Sequence, residues 1–181
     1  MKKKAIEHIV RLYTMHSYQN PYRSDLPFRE RMASFWVTMA GCGASRVAPG
    51  TVGALLGAIV FLAVADLPWW IPLLLIIIGF GISVWAIDFL QKKNQSVGDA
   101  SWIVVDEGVG IWITLLGWDG TLQMLVAGFV LFRLLDITKP FPVRYFDNKG
   151  HSGMWVMLDD VFAGIFAWGI LQVLDALRVF I

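Results

Sequence analysis

The chain has 181 residues and a formal net charge of +1, with 57% hydrophobic residues, only 16% charged residues and a mean hydropathy of +0.62. Soluble domains carry roughly 45–50% apolar and about 25% charged residues, so the composition argues against an ordinary water-soluble globule and for a chain lying in or against a bilayer. The single cysteine, Cys42, excludes an internal disulfide and a cysteine-cluster metal site, while the near-neutral charge by itself excludes no partner.

Residues 1–31 read as a polar, basic arm. Eight of the fifteen Lys and Arg lie between Lys2 and Arg46, as in a cytoplasmic segment facing lipid headgroups. A short amphipathic helix is expected near Ile6–Tyr13, and Pro21 and Pro27 break whatever follows. No apolar stretch follows "MKKK" as it would in a signal peptide, so later membrane segments are expected to do the targeting. The chain divides into a basic arm, 1–34, and a membrane domain, 35–181.

"APGTVG" (48–53) opens an apolar run from Thr51 to Ala65, and "DLP" (66–68) turns the chain into a second run, Trp69 to Ile87. Only the second approaches the ~20 residues that span a hydrocarbon core. "DFLQKKNQSVGDAS" (88–101) is a polar loop. "WIVVDEGVG" (102–110) then leads into an apolar stretch to Trp118, Asp119-Gly120 turns, and a run from Leu122 to Leu135 follows. A polar segment, Asp136 to Asp160, precedes the last apolar helix, Val161 to Ile181. Apolar runs without strand alternation predict an all-α, membrane-embedded, multi-pass helical bundle. In such a bundle the segments 41–50, 88–107 and 136–160 share one face.

Carboxylates crowd into the last two of these segments: Asp99, Asp106, Glu107, Asp136, Asp147, Asp159 and Asp160. Two adjacent pairs, in "VVDEGVG" and "MLDDVFAG", each lead into a glycine-containing apolar helix. Either pair alone is as readily a helix cap. Two pairs together with Asp136 would repel one another strongly in an apolar bundle unless a cation is bound. Carboxylate oxygens without Cys or His suit Mg²⁺ or Mn²⁺ over Zn²⁺, so the pair at 106–107 is read as half of a magnesium site. In "RLLDITKPFPVRYFD", Lys139 lies three residues after Asp136, Pro140 ends the helix, and Arg144 precedes Asp147. Lys139 and Arg144 can clamp a phosphate or simply close helix-end salt bridges. "GCGASRVAPGTVG" (41–53) lacks the Gly-Lys-Ser/Thr ending of a P-loop; an anion-binding glycine turn remains open for it.

In order, "GCGASRVAPGTVG", "WIVVDEGVGIW", "FRLLDITKPFPVRYFD" and "GMWVMLDDVFAG" resemble the phosphatidylglycerophosphatase A family of bacterial inner-membrane lipid phosphatases, across roughly residues 35–175. The resemblance implies removal of the terminal phosphate of phosphatidylglycerophosphate, dependence on magnesium, and no covalent nucleophile. Carried over residue by residue, it points to Asp106, Glu107, Asp136, Lys139, Arg144, Asp159 and Asp160. The sequence departs from the family pattern in three places: Arg46-Val47 before "APGT", Gly108 where a bulkier residue is usual, and Ile111 in place of a polar one. The last two are expected to bear on substrate access.

The expected protein is therefore a Mg²⁺-dependent lipid phosphomonoesterase of the inner membrane, its acidic face toward the cytoplasm, its partners a phospholipid and the membrane and no nucleic acid. A cation transporter is the rival from another class, although it would place its acids near the middle of long spans. A non-catalytic membrane scaffold is the third reading.

Overall fold

The computed structural model describes residues 26–93, 100–141 and 152–177. Among them the chain is all-helical: α1 Phe28–Val37, a 3-10 turn Cys42–Ala44, α2 Pro49–Leu62, α3 Trp70–Gln91, α4 Val105–Thr114, α5 Leu122–Thr138 and α6 Gly153–Ala176. The helix expected near Ile6–Tyr13 lies outside the described residues, as do Asp99, Arg144 and Asp147. α1 starts directly after Pro27 and runs through the 34/35 boundary.

Local chemistry sets each helix end. Pro49 occupies the first position of α2, where its missing N–H costs nothing. Thr121 caps α5 by accepting a hydrogen bond from the Met124 amide at 3.2 Å, and Asp119 Oδ1 in turn accepts from the Thr121 amide and hydroxyl, both at 2.8 Å. α5 ends at Lys139, whose left-handed φ of 42° precedes Pro140. Before α4, the Val104 amide donates to Val37 O at 2.9 Å, pinning the segment that leads to the acidic pair against the end of α1.

α6 differs from expectation. It begins at Gly153 and not at Val161. The reason lies on another helix: Asp88, near the end of α3, accepts a hydrogen bond from the Gly153 amide at 2.7 Å. That contact gives "GMWVML" a helix start of its own, so Asp159 and Asp160 sit about two turns inside α6. A Cβ at Gly153 would also press on the Val84 backbone, so glycine is what lets the two helices meet there.

α3, with 22 residues, and α6, with 24, are long and apolar enough to cross a membrane. Only 33% and 39% of their most apolar windows are buried. Ile77, Ile78 and Trp85 on α3 and Ile165, Phe166 and Val173 on α6 face outward, as lipid-facing side chains do and core helices of soluble proteins do not. α4 is the opposite case. With ten residues it is short, and seven of them are buried against α6, α2 and their neighbours.

Hydrocarbon tails are as apolar as leucine, so helices here associate through close packing rather than through the hydrophobic effect. Small residues provide that closeness. A Cβ at Gly164 of α6 would overlap the Gly110 backbone of α4, and one at Gly57 of α2 would lie 2.9 Å from Gly108 Cα. Hydroxyls within this apolar packing bond back to their own helices, Ser83 to Gly79 O at 2.6 Å and Thr114 to Gly110 O at 3.0 Å.

Candidate functional site

Three helices bring five carboxylates and two cations to one end of the bundle. Asp106 and Glu107 occupy the first turn of α4, as the sequence predicts. Asp160 comes from inside α6 and is 3% exposed. One oxygen from each of Asp106, Glu107 and Asp160 lies within 4.8 Å of the others. Asp106 Oδ1, Glu107 Oε2 and Asp160 Oδ2 are buried without a hydrogen-bond partner.

Asp136 and Asp159, the other two acids expected at the metal, flank this trio and each meets a cation. Asp136 pairs with Arg133 of its own helix at 2.5 Å, a contact one turn apart. The same guanidinium lies 3.8 Å from Glu107 Oε1. Asp159 pairs with Lys139 at 2.8 Å, and its other oxygen accepts the Asp160 amide at 3.1 Å. Sequence spacing had joined Lys139 to Asp136. The left-handed turn at Lys139 carries its side chain across to α6 instead, and such a conformation costs a non-glycine residue about 1–2 kcal/mol. Asp136 and Asp159 thus hold cations at the edge, while Asp106, Glu107 and Asp160 form the tight centre.

Electrostatics follow from this crowding. Burial raises the Asp106 carboxyl well above the usual carboxylate range, and the adjacent Glu107 charge adds to it. Burial also raises Glu107, with Asp136 adding to the rise and Arg133 and the hydrogen bond from Asp106 opposing it. Burial thus disfavours ionisation of both adjacent acids at the start of α4. Three converging hard oxygen donors, each with an unsatisfied oxygen, can hold a divalent cation and relieve both problems at once.

Arg133 is the residue that spacing arguments passed over. Its signal was legible: it is the sole charged residue in the apolar run Leu122–Leu135, one turn before Asp136. The departures at Gly108 and Ile111 do not open a route to the site. A Cβ at Gly108 would meet the Met39 sulfur, and Ile111 is fully buried beside Gly57. Both positions belong to the packing of α4 against α2.

Fold and site define a class: an all-helical membrane protein whose apolar helices enclose a carboxylate centre edged by arginine and lysine. The chain belongs to the phosphatidylglycerophosphatase A family, whose model matches residues 35–175. It is 39% identical over 147 residues to phosphatidylglycerophosphatase A of Escherichia coli (strain K12), covering 79% of this chain and 85% of that protein. Identity to the Haemophilus influenzae protein of the same name is also 39%, over 144 residues, 70% of this chain and 78% of the relative. A Bacteroides thetaiotaomicron relative named as a candidate phosphatidylinositol-3-phosphatase is again 39% identical, over 143 residues, 74% of this chain and 87% of its own. No solved structure shows a significant match.

Proposed function

We propose that this protein is a Mg²⁺-dependent lipid phosphomonoesterase that hydrolyses phosphatidylglycerophosphate to phosphatidylglycerol and inorganic phosphate at the cytoplasmic face of a bacterial inner membrane. The observation that carries the reading is the meeting of Asp106, Glu107 and Asp160, from two separate blocks of sequence, within 4.8 Å. Family membership supports the phosphatase chemistry. The all-oxygen donor set supports magnesium as the metal, with Asp106, Glu107 and Asp160 as its holders.

The bound ion would supply charge neutralisation and Lewis-acid polarisation of the phosphoryl group. The remaining work falls to the chain. A carboxylate of the cluster takes a proton from the attacking water as general base. The water oxygen bonds to phosphorus while the bond from phosphorus to the glycerol oxygen breaks, and the departing alkoxide takes up the proton that the carboxylate removed from the water. Lys139, 29% exposed at the rim, and Arg144 meet the negative charge spread over the phosphoryl oxygens. Asp159 keeps Lys139 aimed inward until substrate arrives.

Purified protein in detergent, given phosphatidylglycerophosphate and Mg²⁺, should release phosphate and should stop when the metal is chelated. Phosphatidylinositol 3-phosphate forms a second arm, because one relative's name points to that headgroup. Faster release from it would move the substrate assignment. Ion flux in liposomes without phosphate release from either lipid would replace the enzyme with a transporter.

A further inference from the structure

The glycine-rich segment 41–53 has no role in the chemistry described so far, and its geometry supplies one. Its glycines lie against the segment that carries the acidic pair. A Cβ at Gly43 would overlap the Trp102 carbonyl and one at Gly53 would lie 2.6 Å from Val104 Cβ; one turn beyond the segment, a Cβ at Gly57 would lie 2.9 Å from Gly108 Cα. Gly50 sits between them and faces the site itself. A Cβ there would overlap Glu107 Oε1, stand 2.9 Å from Glu107 Cδ, and come within 3.1 Å of an Arg133 terminal nitrogen.

We infer that Gly50 and Arg133 are positioning residues that seat the Glu107 carboxylate for cation binding, and that the glycine-rich segment serves this purpose rather than binding the substrate phosphate. Gly50 is not among the residues with positive φ, so glycine is needed there for space and not for backbone conformation. The space it leaves is filled by Glu107. Residue 50 also lies in the first turn of α2, where unpaired amides and the helix dipole favour a negative charge. Arg133 closes the other side. Anchored to Asp136 at 2.5 Å, it presents the same nitrogen to Glu107 Oε1 at 3.8 Å, leaving Glu107 Oε2 unpartnered and available to the cluster. An anion placed at this helix start would have to displace Glu107, which is why a phosphate-cradling role for the segment does not fit.

The inference rests on the metal-dependent reading above for its activity arm, but its main test does not use activity. Mn²⁺ binding to the detergent-purified protein is measured by electron paramagnetic resonance for wild type, Gly50→Ala, Arg133→Lys, Glu107→Asp and the Gly50→Ala/Glu107→Asp pair. Displacing a group that orients a metal ligand typically weakens metal affinity 10–100-fold. Gly50→Ala should therefore lose at least tenfold in Mn²⁺ affinity. Adding Glu107→Asp withdraws the carboxyl by one methylene and should recover part of that loss, so the double variant binds more tightly than Gly50→Ala alone. Arg133→Lys keeps the charge but not the fork, and should fall between wild type and Gly50→Ala.

Mn²⁺ affinity within twofold of wild type in folded Gly50→Ala would overturn the inference. So would a double variant that binds no better than Gly50→Ala. If Gly50→Ala does not fold, Arg133→Lys decides: unchanged Mn²⁺ affinity there refutes the seating role. Wild-type protein that binds Mn²⁺ yet hydrolyses neither phospholipid would instead sink the enzymatic reading and leave the seat intact.

Discussion

Replacing Asp160 by asparagine should move stability and activity in opposite directions. The substitution keeps the shape and removes one charge from a trio whose oxygens lie within 4.8 Å of one another. At 4.8 Å and an effective dielectric constant near 20, two unit charges repel by about 3.5 kcal/mol, and by more for any pair that lies closer. Protons shared within the cluster reduce this, so the metal-free variant should gain about 1–2 kcal/mol over metal-free wild type. For a chain of this length each kcal/mol raises the thermal midpoint by about 2–4 °C. Added Mg²⁺ should then stabilise the variant far less than it stabilises wild type, because a ligand that binds only the folded form stabilises it in proportion to its occupancy. Turnover should fall by two or more orders of magnitude, which corresponds to about 3 kcal/mol in the barrier. The assay is a thermal scan in one detergent with chelator or with Mg²⁺, alongside phosphate release. A variant with wild-type turnover and an unchanged Mg²⁺-dependent midpoint shift would refute the metal-holding role of Asp160.

Three more outcomes follow from the same geometry. Because burial raises Asp106 and Glu107, the folded state binds more protons than the unfolded one, so metal-free stability should fall as pH rises from about 4 through the raised values. Apparent Mg²⁺ affinity should rise over the same range; a thermal midpoint in chelator that climbs or stays flat between pH 5 and 8 would contradict this. Lys139→Met keeps the aliphatic stem while removing the partner that Asp159 holds at 2.8 Å. It should cut kcat at least tenfold with Mn²⁺ affinity within threefold of wild type, and an unchanged kcat would remove Lys139 from phosphate contact. With Cys42 replaced, single cysteines at Asn94 and Asn148 should react with impermeant thiol reagents only from the cytoplasmic side; labelling of both from the periplasm alone would invert the topology.

The helical architecture was legible in the sequence because each apolar run is bounded by residues whose chemistry stops a helix. Pro49 opens α2, Asp119-Gly120 and Thr121 separate α4 from α5, and Pro140 follows the end of α5. The resemblance carried by the four sequence blocks likewise led to the family that the chain belongs to. The start of α6 was hidden, since it depends on Asp88, 65 residues away in the chain. The partners of the acids were hidden for the same reason. Spacing suggests Lys139 with Asp136, yet backbone direction at one residue sends the lysine to Asp159. Gly50 and Gly53 read locally as a glycine turn that opens an apolar run. Only the fold shows which side chains fill the space they leave.

The unequal helix lengths have a mechanical consequence. At 1.5 Å per residue, α3 and α6 measure roughly 33 and 36 Å, while α2 measures roughly 21 Å and α4 roughly 15 Å. A hydrocarbon slab of about 30 Å matches the first two and overshoots the others. α4 is shielded by its neighbours, but α2 turns Leu55 and Ile59 outward and offers lipid a shorter wall than α3 does. In a bilayer of that thickness, mismatch would be concentrated on the side of the molecule where α2 begins beside Glu107, at a cost of fractions of a kcal/mol per ångström. Headgroups that followed the shorter wall of α2 would come level with its Glu107 end, and membrane thickness would then set how far a phosphate must travel to reach the carboxylates.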